Sequence, residues 1–160
     1  MNELTLREAS EADLPAVVEL WHWLDAYHRS LGLAFPESEG AAEKWLASFK
    51  RTLGRFSFLW LAEVGGTAKA FLLARVKQSP PFLGSVQVGE ISDLYVDEGL
   101  RGSGIGVRLV KIALKKFSEL KVHSVEVQIL ARNDSGLDFW IKQGFERDLT
   151  LVRMRLKGNS

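Results

Sequence analysis

The 160-residue chain contains no cysteine, which excludes disulfides, thiolate metal sites and a cysteine nucleophile. Its net charge is only +1, so overall charge does not indicate nucleic acid or an anionic membrane as a partner. No apolar run reaches the ~18 residues of a membrane span, and no signal-peptide pattern precedes Leu4. The three histidines are scattered and join no carboxylate cluster, so no metal site is predicted. We expect a cytoplasmic protein without nucleic-acid, membrane or metal partners.

The composition is that of an ordinary folded protein, with 46% hydrophobic and 26% charged residues. The length allows one sizeable core, and no linker or repeat is visible, so a single domain over residues 1–160 is predicted. Hydrophobic spacing and turn residues predict the order β-α-α-β-β-β-α-β-α-β, an α/β (α+β mixed) fold whose last strand is split. The predicted segments are Leu4–Arg7, Leu14–Arg29, Ser38–Leu53, Phe56–Glu63, Ala68–Lys77, Val86–Val96, Gly104–Leu120, Ser124–Leu130, Asn133–Lys142, Phe145–Glu146 and Leu149–Leu156.

A strand, a short turn and a glycine-rich loop that opens a helix are predicted for residues 89–106. Glycines let the backbone approach a ligand closely, and the first N–H groups of a helix have no partner within it. Arg101 adds a positive charge at the mouth of the loop. Together these features indicate a phosphate site. The loop matches neither the P-loop nor the dinucleotide fingerprint, but a nucleotide-binding α/β domain of another kind stays open as an alternative.

The loop Arg101-Gly102-Ser103-Gly104-Ile105-Gly106 has the pattern Arg-x-x-Gly-x-Gly and resembles the acetyl-CoA pyrophosphate loop of the GNAT N-acetyltransferase superfamily. Asn133, Phe139 and the pair Gly144-Phe145 match the family's downstream segment, whereas Trp140 replaces its usual tyrosine. The resemblance implies a GNAT-like mixed central sheet, with acetyl-CoA in the splay between two parallel central strands. The cofactor contacts that it implies are Leu94, Tyr95, Val96, Arg101, Gly102, Ser103, Gly104, Ile105, Gly106, Asn133 and Trp140.

Acetyl transfer to an amine requires a base, because an amine with a pKa near ~10 must lose a proton before it attacks. Strand alternation predicts that Glu90, Ser92, Leu94 and Val96 share the cleft-facing side, with Asp93 on the other side as a weaker candidate. We predict that Glu90 is the base, directly or through water. The resemblance agrees, since histone-type members carry a glutamate six residues before the strand's final hydrophobic residue. The alternatives are an exposed strand-start residue and a binder of a cationic substrate.

The proton donor for the departing thiolate is open, because the indole N–H of Trp140 is not a usable acid at neutral pH. Tyr95, Ser135 or solvent could serve, and Trp140 is interpreted as a channel wall or core residue. Asn133 either binds the pantetheine arm, as the resemblance implies, or caps a helix. The oxyanion needs only a free backbone N–H near the end of the strand.

The acceptor is expected to be a primary amine of a small molecule or a peptide, bound near the first two helices, where Tyr27, His28 and Phe35 are candidates. The sequence does not name the amine. A catalytically silent acyl-CoA-binding module is the alternative function, favoured by Trp140 and opposed by Glu90. The resemblance is compatible with a homodimer and with a monomer.

Overall fold

A computed structural model describes residues 3–158 and contains a five-stranded mixed sheet in the order β1-β2-β3-β4-β5. Neighbouring strands are antiparallel from β1 to β4, and β4 and β5 are parallel. The mixed α/β class is therefore confirmed. Within the described range, no helix is both long and apolar enough to cross a membrane. The elements are β1 Leu4–Glu8, α1 Leu14–Ser30, α2 Ala41–Lys50, β2 Ser57–Val64, β3 Thr67–Gln78, β4 Gln87–Val96, α3 Ile105–Glu119, β5 Ser124–Glu126 and α4 Asp134–Lys142.

Two hydrophobic clusters cover the two faces of the sheet. Phe71 and Leu73 of β3 pack with α1 and α2, whereas Leu72 and Ala74 pack with α3 and α4. All four are fully buried, with 0% of their surface exposed. Strand β3 is thus covered on both faces, which explains its nearly continuous apolar sequence.

The first strand and the start of α1 are joined by ion pairs. Arg7 donates to the Asp13 carboxylate at 2.7 Å and also pairs with Glu63 on β2. The Asp13 carboxylate accepts the Ser10 backbone N–H at 2.8 Å as well. The hydrogen bond from Arg7, followed by that from Ser10, holds the pKa of Asp13 well below its usual range.

The end of the chain differs from the predicted order. Residues 145–156, which we call the C-terminal arm, form no strand, so the predicted strands Phe145–Glu146 and Leu149–Leu156 are absent. Strand β5 also ends at Glu126 and does not reach Leu130. The reason is that a strand exists only when its backbone is paired, and neither segment has a partner in the described part of this chain. Apolar alternation predicted a strand without identifying what it pairs with.

Candidate active site

The two parallel strands separate soon after they meet. They pair only between Val88–Glu90 of β4 and Ser124–Glu126 of β5. From Ile91 to Val96, β4 keeps β3 as its neighbour on one side and has no strand of the described chain on the other. Alternate backbone N–H and C=O groups along this open edge therefore have no ladder partner. The splay implied by the family resemblance is present and begins directly after Glu90.

The glycine-rich loop at the end of β4 has the geometry of an anion cradle. Gly102 and Gly104 adopt left-handed backbone conformations with φ of +81° and +88°. Helix α3 then begins at Ile105, and its first backbone bond runs from the Arg108 N–H to the Gly104 carbonyl at 3.0 Å. The N–H groups of residues 105–107 consequently have no acceptor inside the helix. A Cβ added at either glycine would meet no atom within 4 Å, so the mouth of the cradle is open.

Arg101 connects the loop to two tyrosines. Its Nε donates to the Val96 carbonyl at 3.2 Å, and its guanidinium carbon lies 5.8 Å from the ring centre of Tyr27 and 5.9 Å from that of Tyr95. The Tyr27 hydroxyl in turn donates to Asn133 Oδ1 at 3.2 Å. Tyr27, which was predicted to line the acceptor site, thus contacts residues expected to hold the cofactor.

Asn133 caps α4. Its Oδ1 accepts the Gly136 backbone N–H at 3.0 Å in addition to the Tyr27 hydroxyl. The Nδ2 group makes no hydrogen bond to any part of the chain that the structure describes, so it remains available as a donor. Both roles considered from the sequence are therefore compatible: the oxygen caps the helix, and the amide nitrogen is free for a ligand carbonyl.

The two aromatic candidates on the cofactor side are mostly buried. Trp140 is 7% exposed and packs edge-to-face with Phe139 and Phe145, with ring centres 5.1 and 5.2 Å away. It therefore fills the core. Tyr95 is 8% exposed and belongs to the hydrophobic cluster that packs with α1 and α2. Burial, and then the nearby Asp97 charge, raise the pKa of Tyr95, so it keeps its proton at neutral pH.

A β-bulge in β4 changes the faces that alternation predicted for its side chains. Asp93 lies opposite Leu73, and Ile91 lies opposite Ala74, so Ser92 is an extra residue without a register partner. Because of this extra residue, the side chains that precede Ser92 point to the opposite faces from those that unbroken alternation predicts. Ile91 and Leu94 both face the α3 cluster, although an unbroken strand would place them on opposite sides.

Strand alternation predicted that Glu90 shares a face with Leu94 and Val96. This prediction is wrong, because the bulge lies between them. Glu90 lies opposite Arg75, and opposed residues of an antiparallel pair share a face. The Arg75 guanidinium lies 5.7 Å above the ring of Phe49 on α2, which identifies this face as the α1/α2 side. Asp93 faces the same side, because it lies opposite Leu73 of the α1/α2 cluster.

Charged side chains surround Glu90 where the strands separate. Lys77 Nζ lies 3.1 Å from Glu90 Oε2 and also pairs with Glu126 on β5. The hydrogen bonds to Glu126 and Glu90 raise the pKa of Lys77 despite the opposing effect of its burial. Lys77 is therefore an ammonium at neutral pH and is not a candidate base. The sequence analysis did not identify Lys77 as a site residue. It reaches Glu90 only through the pairing of β3 with β4, and its local sequence does not show that pairing.

Asp93 lies beneath α2. The Trp45 indole N–H is directed to its Oδ2 at 3.4 Å. Burial raises the pKa of Asp93, and this effect outweighs the opposing hydrogen bonds from Ser92 and Trp45. Reasoning from the sequence had ranked Asp93 as the weaker candidate because it was expected on the far side of the strand.

The remaining acceptor candidates are dispersed. His28 is half-buried on α1, and burial lowers its pKa while Asp25 opposes that change. Phe35 is 59% exposed in the loop after α1, and its ring lies 4.7 Å from the Arg153 guanidinium carbon of the C-terminal arm. The structure shows no direct contact of either residue with Glu90.

A splayed pair of parallel strands beside an anion cradle defines an acyltransferase fold of the GNAT type, and comparison with known proteins agrees. The model of the acetyltransferase (GNAT) family matches residues 17–145. The chain belongs to this family and is an acetyltransferase.

Individual proteins that resemble this chain share only a modest part of its sequence. YwnH of Bacillus subtilis (strain 168), which carries the name of a phosphinothricin acetyltransferase, is 26% identical over 142 residues, covering 89% of this chain and 83% of that protein. A tetramutant of the BH1408 protein from Bacillus halodurans is similar in structure, with a TM-score of 0.79 and 22% identity over 95% of this chain and 99% of that chain. The aminoglycoside N-acetyltransferase AAC(6')-Iy in complex with CoA gives a TM-score of 0.73 and 15% identity over 98% and 97% of the two chains.

Proposed function

We propose that this acetyltransferase transfers an acetyl group from acetyl-CoA to a primary amine, with Glu90 as the general base. The observation that carries the proposal is the position of Glu90. It is the last residue of β4 that pairs with β5, so its carboxylate stands where the splay opens. Its side chain is 21% exposed and can be reached by an incoming amine.

The described residues fit the acyl donor. The N–H groups of residues 105–107, the open space at Gly102 and Gly104, and the charge of Arg101 suit a pyrophosphate. Asn133 Nδ2 and the open edge of β4 offer donors and acceptors for an amide-containing arm. Acetyl-CoA supplies a thioester carbonyl activated for attack by an amine. A free N–H on the open edge between Leu94 and Val96 is positioned to stabilise the oxyanion.

Among Lys77, Asp93 and Glu90, the last suits the task of a base best. Lys77 is protonated because its pKa is raised. Asp93 is held under α2 beside Trp45, and its raised pKa reflects this burial. Glu90 is partly exposed and is held in place by Lys77 at 3.1 Å. It would accept the amine proton directly or through one water.

In the proposed reaction, the amine replaces the CoA thiolate on the acyl carbon. The amine nitrogen forms a bond to the acyl carbon, and the carbon–sulfur bond breaks. Glu90 takes the proton that the cationic amine loses before it attacks. The nitrogen loses a second proton as the amide forms, and solvent carries that proton to the departing thiolate. Tyr95 is not assigned this role, because it is 8% exposed and its pKa is raised.

We propose that the acceptor is the amine of a small molecule. The relatives carry the names of phosphinothricin and aminoglycoside acetyltransferases, and both of those acceptors are small amines. The acidic side chains Glu90, Asp93 and Glu126 on the α1/α2 face suit a cationic amine before it is deprotonated. Peptide amines form the comparison set of the test.

A free-thiol assay tests the proposal directly. The chain has no cysteine, so every thiol released from acetyl-CoA is product. The panel contains aminoglycosides, amino acids, polyamines and short peptides. Glu90→Gln should lower amine-dependent release by about 10²-fold or more, the usual scale of general-base catalysis. CoA affinity should change little, because Glu90 does not contact the glycine-rich loop.

Two further variants identify the base. Glu126→Gln is the matched control, because it also removes a carboxylate that pairs with Lys77 but leaves Glu90 in place. It should retain most of the turnover. Asp93→Asn tests the second carboxyl of the same face. Full activity in Glu90→Gln together with a large loss in Asp93→Asn would transfer the base role to Asp93. Absence of release with every amine would refute the proposed reaction.

A further inference from the structure

Tyr27, in the last turn of α1, contacts residues on both sides of the splay. Its hydroxyl lies 3.2 Å from Oδ1 of Asn133, which precedes α4. Its ring centre lies 5.8 Å from the guanidinium carbon of Arg101, at the start of the glycine-rich loop. Arg101 follows β4, whereas Asn133 belongs to the chain that leaves β4 after Glu126. A side chain of α1 therefore connects the two parts of the chain that are expected to hold the acyl donor.

The backbone of Asn133 is held on both sides. Its N–H donates to the Leu130 carbonyl at 2.9 Å, and its own carbonyl accepts the Leu137 N–H at 3.0 Å. Only the side-chain torsions of Asn133 remain to be set. An asparagine amide can present its oxygen or its nitrogen in the same place, and the neighbouring donors and acceptors decide between the two. The neighbours of this amide therefore determine which of its groups is left for a ligand.

Two donors select the oxygen. The Gly136 backbone N–H can only donate, so the side-chain atom that lies 3.0 Å from it must be the acceptor Oδ1. The Tyr27 hydroxyl, 3.2 Å from the same oxygen, then donates to it as well. The Ser135 hydroxyl is more distant from this oxygen, at 3.5 Å. With Oδ1 occupied, Nδ2 is the group of the amide that makes no hydrogen bond within the described chain.

Close packing against Gly136 also holds the amide. A Cβ on Gly136 would lie 2.6 Å from Asn133 Cγ and 2.8 Å from its Oδ1. Non-bonded atoms do not approach so closely, so the amide keeps its place only because residue 136 has no side chain. The position of Asn133 thus depends on two elements, the first turn of α4 and, through the Tyr27 hydroxyl, the last turn of α1.

We propose that Tyr27 is a positioning residue of the acyl-donor site, whose hydroxyl fixes the Asn133 amide for the pantetheine arm of acetyl-CoA. The inference rests on the proposed acyl donor and assigns to α1, the helix expected to bind the acceptor, a part in holding the donor. The Tyr27 ring has a separate contact. Together with the Tyr95 ring, 5.9 Å away, it lies beside the Arg101 guanidinium, an arrangement that does not require the hydroxyl.

The hydroxyl can therefore be removed without the ring. Tyr27→Phe deletes the hydrogen bond to Asn133 and keeps the aromatic contact with Arg101. The probes in calorimetry are CoA and 3′-phospho-ADP, because both carry the pyrophosphate and only CoA carries the pantetheine arm. Tyr27→Phe should weaken CoA binding by about three- to tenfold, the scale of one net hydrogen bond, and should change 3′-phospho-ADP binding by less than about twofold.

A double-mutant cycle tests whether Tyr27 acts through Asn133. Asn133→Ser keeps an oxygen that can cap α4 but removes the amide nitrogen. In that background Tyr27→Phe should change CoA affinity by less than about twofold, because the group that it positions is gone. Gly136→Ala displaces the same amide without altering Tyr27, and it should weaken CoA binding at least as much as Tyr27→Phe does.

Ser30→Ala is the matched control. It removes a hydroxyl from the same turn of α1, one that donates to the Tyr27 carbonyl at 2.6 Å, and it should keep the CoA affinity of the wild type. Unchanged CoA affinity in Tyr27→Phe, an equal loss for CoA and 3′-phospho-ADP, or a full effect of Tyr27→Phe in the Asn133→Ser background would each overturn the inference and leave the acyl donor in place. A wild-type chain that binds neither ligand would refute the proposed acyl donor and the inference together.

Discussion

Gly89 offers a sharp test of the packing between β4 and α3. It is buried in β4 beside Glu90, opposite Val76 on β3 and Val125 on β5. A Cβ at this position would lie 2.7 Å from two ring atoms of Phe117. The Phe117 ring is 1% exposed and is enclosed by the α3 cluster, so it cannot simply swing away. The change Gly89→Ala must therefore move the ring or the strand.

The expected effect follows from two opposing contributions. Overpacking of a core costs about 1–3 kcal/mol. Replacing a strand glycine by alanine recovers roughly 0.5–1 kcal/mol of conformational entropy. The difference between the two leaves a net loss in the free energy of unfolding of about 0–2.5 kcal/mol. The 2.7 Å contacts favour the upper part of this range, about 1–2.5 kcal/mol, which lowers Tm by about 2–10 °C for a chain of this size.

Urea unfolding of Gly89→Ala, Phe117→Leu and the double variant measures this effect. The smaller side chain makes room for the Cβ, so the double variant should be more stable than the sum of the single losses predicts, by at least about 0.5 kcal/mol. Gly99→Ala is the control, because its Cβ approaches only the Asp97 side chain in an exposed turn. A Gly89→Ala protein as stable as wild type, or strict additivity, would refute the packing argument.

Two further predictions concern the entry to α1 and the glycine-rich loop. Asp13→Asn should lose about 0.5–1 kcal/mol at pH 7, because the carboxylate pairs with Arg7. The folded pKa of Asp13 is depressed, so this stability is present above its unfolded pKa near ~4 and is lost as pH falls through the folded pKa. Urea unfolding should therefore show a smaller deficit at pH 2 than at pH 7, and equal deficits would contradict the ion-pair account. Gly104→Ala should weaken CoA binding in calorimetry by about tenfold, since alanine resists a φ of +88° by roughly 1–2 kcal/mol. Gly54→Ala has a similar φ of +86° and the same open space, so it should lose comparable stability and keep its CoA affinity.

Most elements could be predicted from the sequence because their signals are local. Helix α3 shows the apolar spacing of Leu109, Ala113 and Phe117, and these residues are buried. The hairpin between β2 and β3 turns at Gly65-Gly66, whose positive φ values suit the turn. The loop from Arg101 to Gly106 was predicted from glycine chemistry, and it opens a helix as expected.

The C-terminal arm was mispredicted because strand formation is not local. The segment from Leu149 to Leu156 has strand composition, but a strand requires a partner edge, and the described part of this chain brings none to it. The composition indicates that the segment can form a strand. It does not indicate which strand would pair with it.

The bulge at Ser92 could not be predicted for a related reason. Alternation places side chains correctly only while each residue of a strand faces one residue of its neighbour, and nothing in the run Glu90–Val96 marks the extra residue. The consequence is chemical, because the bulge brings Asp93 to the same face as Glu90. Two carboxyl groups then lie on one side of the splay. Glu90 pairs with the Lys77 ammonium, whereas Asp93 lies beside the Trp45 indole and its pKa is raised by burial. Groups whose environments differ in this way take different roles, so we infer that the partly exposed carboxylate exchanges the proton while the buried one positions the strand.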